Sequence, residues 1–207
     1  MKLHNNLDET LNQVSKVKVF RFLFAEKDEH TGRGIAKGIG MSPSATHKVL
    51  SEMRAAGILN ARRKGNAILY KLKENNYFVK RLLAVLFERE KSVYGDVVAF
   101  IRKGLLKHKK GVVSLCIFGS VAVGAGTSRS DIDLLVIIKS LSAKNRIDKS
   151  LDKMSIDLAK EFGIALSPYI LTGAVFKRRY SKKQRLTLSI LKNYRLIYGE
   201  PLERVIA

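Results

Sequence analysis

Apolar positions recur at a helical period over residues 11–24, where Leu11, Val14, Val17, Val19, Phe20, Leu23 and Phe24 make one wide apolar face. A polar break follows, Asp28 to Thr31. Thr31 to Gly38 reads as a short helix with Ile35, Ala36 and Ile39 turned inward, and Gly40 supplies the left-handed backbone of a tight turn. Ser42-Pro43 opens the next helix, because serine accepts hydrogen bonds from free N–H groups and proline suits the first helical position. Thr46, Val49, Leu50 and Met53 form its buried stripe, and Gly57 ends it. The pattern then shortens. Ile58 to Ala61 and Ala67 to Leu72 read as two strands, with Lys64-Gly65-Asn66 as the hairpin tip.

Helical spacing returns over Tyr77 to Arg89, with Phe78, Leu82, Leu83, Val85, Leu86 and Phe87; this helix is expected to pack back on the preceding elements. Ser92 is expected to cap a further helix running to about Lys107. Two apolar runs, Val112 to Phe118 and Leu134 to Ile138, read as buried strands. Ile147 to Phe162 reads as a helix, Ala165 to Leu171 as a strand, Ser181 to Lys192 as a helix and Tyr194 to Tyr198 as a last short strand. From Ser92 the expected order is α-β-β-α-β-α-β. The fold class is α+β, with a first domain over 1–75, a linker helix over 76–91 and a second domain over 92–207.

Composition adds a partner to this picture. With 46% apolar residues in 207, the chain has the makings of a real core. Its formal net charge of +21 favours a polyanionic partner such as DNA, RNA or a highly phosphorylated ligand. General solubility, or a cytoplasm rich in counterions, is the other reading. The single cysteine, Cys116, lies inside an apolar run and excludes an internal disulfide framework. No stretch approaches the ~18 consecutive apolar residues of a membrane span, and Met1-Lys2-Leu3-His4-Asn5-Asn6 has no apolar signal-peptide core. A cytoplasmic, reduced protein with no membrane partner is expected.

Helix, helix, tight turn, helix and hairpin is the order from Leu11 to Leu72, and the resemblance that follows covers Thr31 to Tyr70. The run Gly32-Arg33-Gly34-Ile35-Ala36, then Ser42-Pro43-Ser44-Ala45-Thr46-His47-Lys48-Val49-Leu50 and Ala56-Gly57-Ile58-Leu59, closely resembles winged helix-turn-helix transcription factors. The resemblance implies DNA binding, with the third helix in the major groove and the wing along the phosphates. Residues 42–73 hold seven Lys/Arg and one acid, Glu52. Ser44, His47, Lys48 and Ser51 lie off the buried stripe and are candidates for base edges or phosphates. Arg62, Arg63 and Lys64 are placed at the wing tip, for phosphate contact. Winged helices also serve as protein-docking modules. His47 has no second His or Cys at a ligand spacing, so it reads as a surface polar residue rather than a metal ligand. Winged helices often act as homodimers, but no interface is readable in the sequence.

The second domain carries Gly119-Ser120, ten residues, then Asp131-Ile132-Asp133, with Gly124 and Gly126 in the loop. Alternation along a strand points Asp131 and Asp133 the same way. Two carboxylates on one face repel each other unless a cation sits between them, and hard oxygens suit Mg²⁺. Backbone N–H groups at Gly119-Ser120 can form an anion-binding concavity, helped by a following helix N-terminus, and Gly119 would let a phosphate come close. This spacing looks like the signature of minimal nucleotidyltransferases of the DNA polymerase β-like superfamily, over roughly Ser92 to the C-terminus. The resemblance implies a small mixed sheet flanked by helices. It also implies transfer of a nucleoside monophosphate from an NTP, ATP first among them, to a hydroxyl, with release of pyrophosphate. It gives Asp131 and Asp133 the catalytic Mg²⁺, and Gly119 and Ser120 the nucleotide phosphates. Ser130 would orient Asp131 or cap the turn, and Arg129 would reach the phosphates across the loop. The acceptor would be a protein or RNA, as for toxin–antitoxin nucleotidyltransferases.

Two departures qualify that implication. Active relatives usually carry a third carboxylate on the strand after the next helix, but Ala165-Leu166-Ser167-Pro168-Tyr169-Ile170-Leu171 holds no acid. Asp157 and Glu161 fall in the preceding helix. Many relatives also have a basic residue soon after Gly-Ser, where this chain has Val121-Ala122-Val123-Gly124. Nucleotide binding survives these losses more easily than transfer does, because water and phosphate complete the Mg²⁺ shell. The alternative is therefore a transcriptional regulator whose second domain is a nucleotide sensor or scaffold. Finally, Leu171 to Gly199 holds eight Lys/Arg and no acid. That run is either a solvated face or a contact for an anionic partner.

Overall fold

The computed structural model describes residues 4–106, 109–127 and 130–207. The expectations placed on Met1-Lys2-Leu3, on Lys107 and on Arg129 lie outside the described residues. The chain divides into two compact units, Met1–Val93 and Tyr94–Ala207.

In the first unit, α1 (Asn6–Thr10) and α2 (Val14–Ala25) precede a two-residue strand β1 (His30–Thr31), then α3 (Gly32–Ile39) and α4 (Pro43–Ala55). Local chemistry sets these bounds. The Thr31 hydroxyl accepts from the Gly34 N–H and starts α3; Gly40, at φ 64°, turns the chain out of it. Ser42 accepts from the Ala45 N–H, and Pro43 takes the first position of α4. Strands β2 (Leu59–Lys64) and β3 (Ala67–Leu72) pair antiparallel, and β1 adds to β3 with His30 opposite Tyr70, giving the order β1-β3-β2. Residues read as a polar break thus include a strand. It was missed because two residues show no alternation. The stripe Val49, Leu50 and Met53 packs with Val19, Phe20, Leu23, Ile35 and Leu72 in one core.

A π-helical turn, Val79–Leu83, leads into α5 (Ala84–Leu106). Two helices were expected here, the second capped by Ser92. Instead α5 is continuous through Ser92, whose hydroxyl donates back to the Arg89 carbonyl at 3.0 Å. Phe87 of α5 packs on Phe20 and Phe24, and Arg21 of α2 holds Glu90 with two hydrogen bonds of 2.9 and 2.6 Å. That contact raises the arginine's pKa and lowers the carboxylate's.

The second unit is a four-stranded mixed sheet, β4 (Val112–Phe118), β5 (Ile132–Ile138), β6 (Leu166–Thr172) and β7 (Tyr194–Gly199), in the order β6-β5-β4-β7. Between strands lie the one-turn α6 (Gly119–Ala122), then α7 (Lys144–Phe162), α8 (Gly173–Ser181) and α9 (Arg185–Lys192); α10 (Leu202–Ile206) closes the chain. β4 runs antiparallel to β5 and β7, while β5 and β6 are parallel. Pro168 is tolerated because β6 is an edge strand, where a missing N–H costs no ladder bond. One sheet face packs Leu134, Val136 and Leu166 against Ile101 of α5 and Ile147, Leu151 and Leu158 of α7. The other packs Cys116, Leu135 and Ile137 against Phe176 of α8, Ile190 of α9 and Leu202 of α10. Burial pushes the Cys116 thiol up to about 11, as befits an inert core residue. α8 and α10 were not anticipated, and the helix expected from Ser181 starts only at Arg185. Among the described residues no helix is long and apolar enough to cross a membrane.

Candidate functional site

Ladder register builds the site. Phe118, the last residue of β4, pairs with Asp133 of β5, so the chain leaves β4 at Gly119 directly beside that carboxylate. Gly119 has φ 72°, and a Cβ there would overlap Asp133 Oδ2 and stand 3.1 Å from its Cγ. Glycine is thus required twice, by backbone conformation and by the carboxylate. The place a Cβ would take at Gly119 is filled by Asp133, so the glycine lets that carboxylate come close. Ser120 is exposed, and its carbonyl accepts from the Ala125 N–H at 2.9 Å, closing the loop. α6 is a single turn, so the expected support from a helix N-terminus shrinks to its local N–H groups.

Asp131 precedes β5 and is exposed, while Asp133 is partly buried. Burial, and then the charge of Asp131, raises the pKa of Asp133. A carboxylate held back from ionising by burial and by a neighbouring negative charge fits a hard cation, which would relieve both. On the other side of Asp133 the parallel register places Ser167 of β6, and the Ser167 hydroxyl donates to Asp131 Oδ2 at 3.3 Å. A serine therefore stands beside the carboxylate pair, on the strand where a third acid was sought. Among the described residues no group of three His, Cys, Asp or Glu is placed to hold a metal. Ser130 does not orient Asp131. Its hydroxyl accepts from the Thr127 N–H at 2.9 Å and so caps the turn, the second of the two roles expected for it.

Two arginines frame this end of the sheet. Arg195 Nε of β7 donates to the Ala122 carbonyl at 2.6 Å, and its guanidinium stacks 5.1 Å from the Tyr94 ring centroid. It pins the last residue of α6. Arg179 of α8 donates to the Tyr169 hydroxyl and lies 5.5 Å from that ring's centroid. Sequence reasoning missed Ser167, Arg179 and Arg195 in these roles. Register and helix return bring them to the site, and neither is written in a local motif.

In the first unit, Ser44, His47, Lys48 and Ser51 are all exposed on α4, opposite its buried stripe. Arg62, Arg63 and Lys64 lie on strand β2, and the tip of the wing is Gly65-Asn66. The hairpin strand is longer than the sequence suggested because charged residues continue a ladder whose partner strand carries the apolar side chains. Arg62 is engaged in a two-point contact with Glu29, whose pKa it lowers. Among the described residues Arg63 and Lys64 show no carboxylate partner.

A three-helix core with an antiparallel wing defines the first unit as a winged helix-turn-helix. The mixed sheet with a glycine turn pressed on an Asp-x-Asp strand defines the second as a nucleotidyltransferase fold. A sequence model of the family "Polymerase beta, Nucleotidyltransferase" matches residues 102–200. MJ1305 of Methanocaldococcus jannaschii, named for a proposed protein adenylyltransferase activity, is 35% identical over 113 residues, 53% of this chain and 74% of its own. The chain belongs to the polymerase β nucleotidyltransferase family. The HTH-type transcriptional regulator Rv0081 of Mycobacterium tuberculosis is 29% identical over 100 residues, 48% of this chain and 85% of its own. A crystal structure of a toxin–antitoxin with AMP-PNP is 14% identical at a TM-score of 0.36, covering 53% of this chain and 80% of that one.

Proposed function

We propose that this is a cytoplasmic DNA-binding regulator whose second unit binds Mg²⁺-NTP, ATP first among them, at Gly119, Ser120, Asp131 and Asp133. The observation that carries the reading is the close approach of Gly119 and Asp133, which sets a partly buried carboxylate beside a second one and beside a glycine turn. Asp131 and Asp133 would hold the metal, which would neutralise charge on the triphosphate. Gly119 and Ser120 would receive the β- and γ-phosphates, with Arg195 keeping α6 in place beneath them.

For transfer, an acceptor hydroxyl on a protein or RNA attacks the α-phosphorus, and the bond to the β-phosphate oxygen breaks. Pyrophosphate leaves, and the hydroxyl proton passes to a base. With Ser167 where an acid was sought, the acceptor partner supplies that base. The M. jannaschii relative's description supports adenylyl transfer to protein. Incubation with labelled NTPs, Mg²⁺ and cell lysate tests the transfer: a labelled product is expected, and it should vanish in Asp131→Ala/Asp133→Ala. No product, or product unaffected by the double substitution, refutes it.

Ser167 also favours a second reading, a nucleotide sensor that binds without turnover. Binding by calorimetry together with a silent transfer assay would select it. On the first unit, Ser44, His47, Lys48 and Ser51 would face base edges, and Arg63 and Lys64 would follow the phosphates. Arg62 would join them only after leaving Glu29. A homodimer is the expected DNA-binding form. Its seam would be the exposed apolar stripe Leu82, Val85 and Leu86, exposed by 49%, 52% and 47%.

A further inference from the structure

The charge of the chain is not the winged helix's alone. Residues 94–207 hold 21 Lys/Arg against 9 Asp/Glu, a larger excess than the 18 against 9 of residues 1–93. The excess in the second unit gathers at the corner between α8 and α9, where Arg178, Lys182, Lys183 and Arg185 are exposed. Among the described residues none of the four has a carboxylate partner, and residues 171–199 contain no acid to provide one. Like charges so close repel each other, so the corner is costly unless an anion lies on it.

The backbone of the corner adds an independent sign. The Gln184 N–H donates to the Arg179 carbonyl and the Lys183 N–H to the Tyr180 carbonyl, which is the Schellman closure of a helix. Its left-handed residue is Lys183, at φ 51°. That position favours glycine, as at Gly40 and Gly163, which end α3 and α7 in the same region. Here the chain keeps a cation at a position where it strains the backbone, which is what a binding role would select.

We infer that the α8–α9 corner is a second nucleic-acid contact, which holds the phosphates of a single-stranded segment. Tyr180 sits among the cations and is 39% exposed, so an unstacked base has a ring to lie on; a duplex would keep its base faces hidden. The corner is tied to the acidic end of the sheet. Arg179 holds the Tyr169 hydroxyl, and Tyr169 is two residues along β6 from Ser167, the neighbour of Asp131. A strand held there passes on the sheet face that carries Asp133. The contact stands whether or not the site transfers nucleotides.

The test is fluorescence anisotropy of the full chain with a short single-stranded RNA, and with polyglutamate, over a salt series. Arg178→Ala/Lys182→Ala/Arg185→Ala should weaken RNA binding at least about tenfold at low salt and lower the salt slope by about 2, given ~0.7 per phosphate contact. Lys183→Gly should move two readouts in opposite directions: melting temperature up, RNA affinity and slope down. Lys149→Ala/Lys153→Ala, exposed on α7 at the other face of the sheet, should leave single-stranded binding within about twofold. A folded triple variant with unchanged affinity and slope overturns the inference. So does Lys183→Gly that melts higher yet binds equally well. Equal losses for polyglutamate and RNA would instead assign the corner to an acidic protein partner and overturn the nucleic-acid assignment.

Discussion

Gly119 is fixed by two requirements at once: φ 72° puts it where a side chain strains the backbone, and a Cβ would land on Asp133. Gly119→Ala should therefore cost the ~1–2 kcal/mol of a left-handed non-glycine residue, plus the cost of displacing a carboxylate. Thermal melting should show a lower transition temperature, and Mg²⁺-NTP binding should be lost with it. Asp133 has the opposite burden. Its pKa is raised by burial and by Asp131, so the folded chain binds its proton more tightly than the unfolded chain does. Stability is then lost as pH rises from the unfolded to the folded pKa, and the loss is complete at neutral pH. Asp133→Asn should raise the melting temperature at pH 7, and the gain should fade as the solution is acidified below the carboxylate range. Mg²⁺ should stabilise the wild type and not this variant. A gain that persists unchanged in acid would show that ionisation is not its source.

At the scale of elements, legibility followed how local each signal is. α3 and α4 were readable because Ser42-Pro43, the left-handed Gly40 and a four-residue buried stripe act within one or two turns. α8 was not, because Phe176 is its only fully buried side chain and three basic residues follow it, so no apolar stripe recurs at a helical period. Ser92 misled because a serine within a helix can bond back to the preceding turn and leave no mark of where a helix begins. The Gly-Ser and Asp-x-Asp pieces of the site were legible from spacing. Ser167 and Arg195 were not, since their relevance lies in which strands neighbour β5 and β4. Arg195→Ala should free the end of α6 at Ala122, leaving the melting temperature within a few degrees while weakening nucleotide binding about tenfold. Arg195→Lys should restore little, because a lysine cannot both stack on Tyr94 and reach the Ala122 carbonyl. The exposed stripe of α5 and the turn before it makes a parallel prediction: Leu82→Glu/Leu86→Glu should sediment as a monomer where the wild type sediments as a dimer. Identical sedimentation would remove that seam.

On the whole molecule, two compact units bring different recognition chemistry to one chain. The first carries an exposed helix face beside a basic wing, and the second carries a paired-carboxylate site beside a glycine turn. The net charge of +21 suits a protein that meets nucleic acid, and binding to any duplex should fall steeply with salt. What unites the account is the nucleotide. Without it Asp133 is a partly buried carboxylate held beside a second negative charge with nothing to offset either. Isothermal titration calorimetry of ATP into the full chain, with and without Mg²⁺, addresses this most directly. Saturable binding is expected only with Mg²⁺, and it should be abolished in Asp131→Ala/Asp133→Ala while the variant stays folded. No heat of binding with the wild type, or equal binding in the double variant, would contradict a nucleotide site at Gly119 and Asp133.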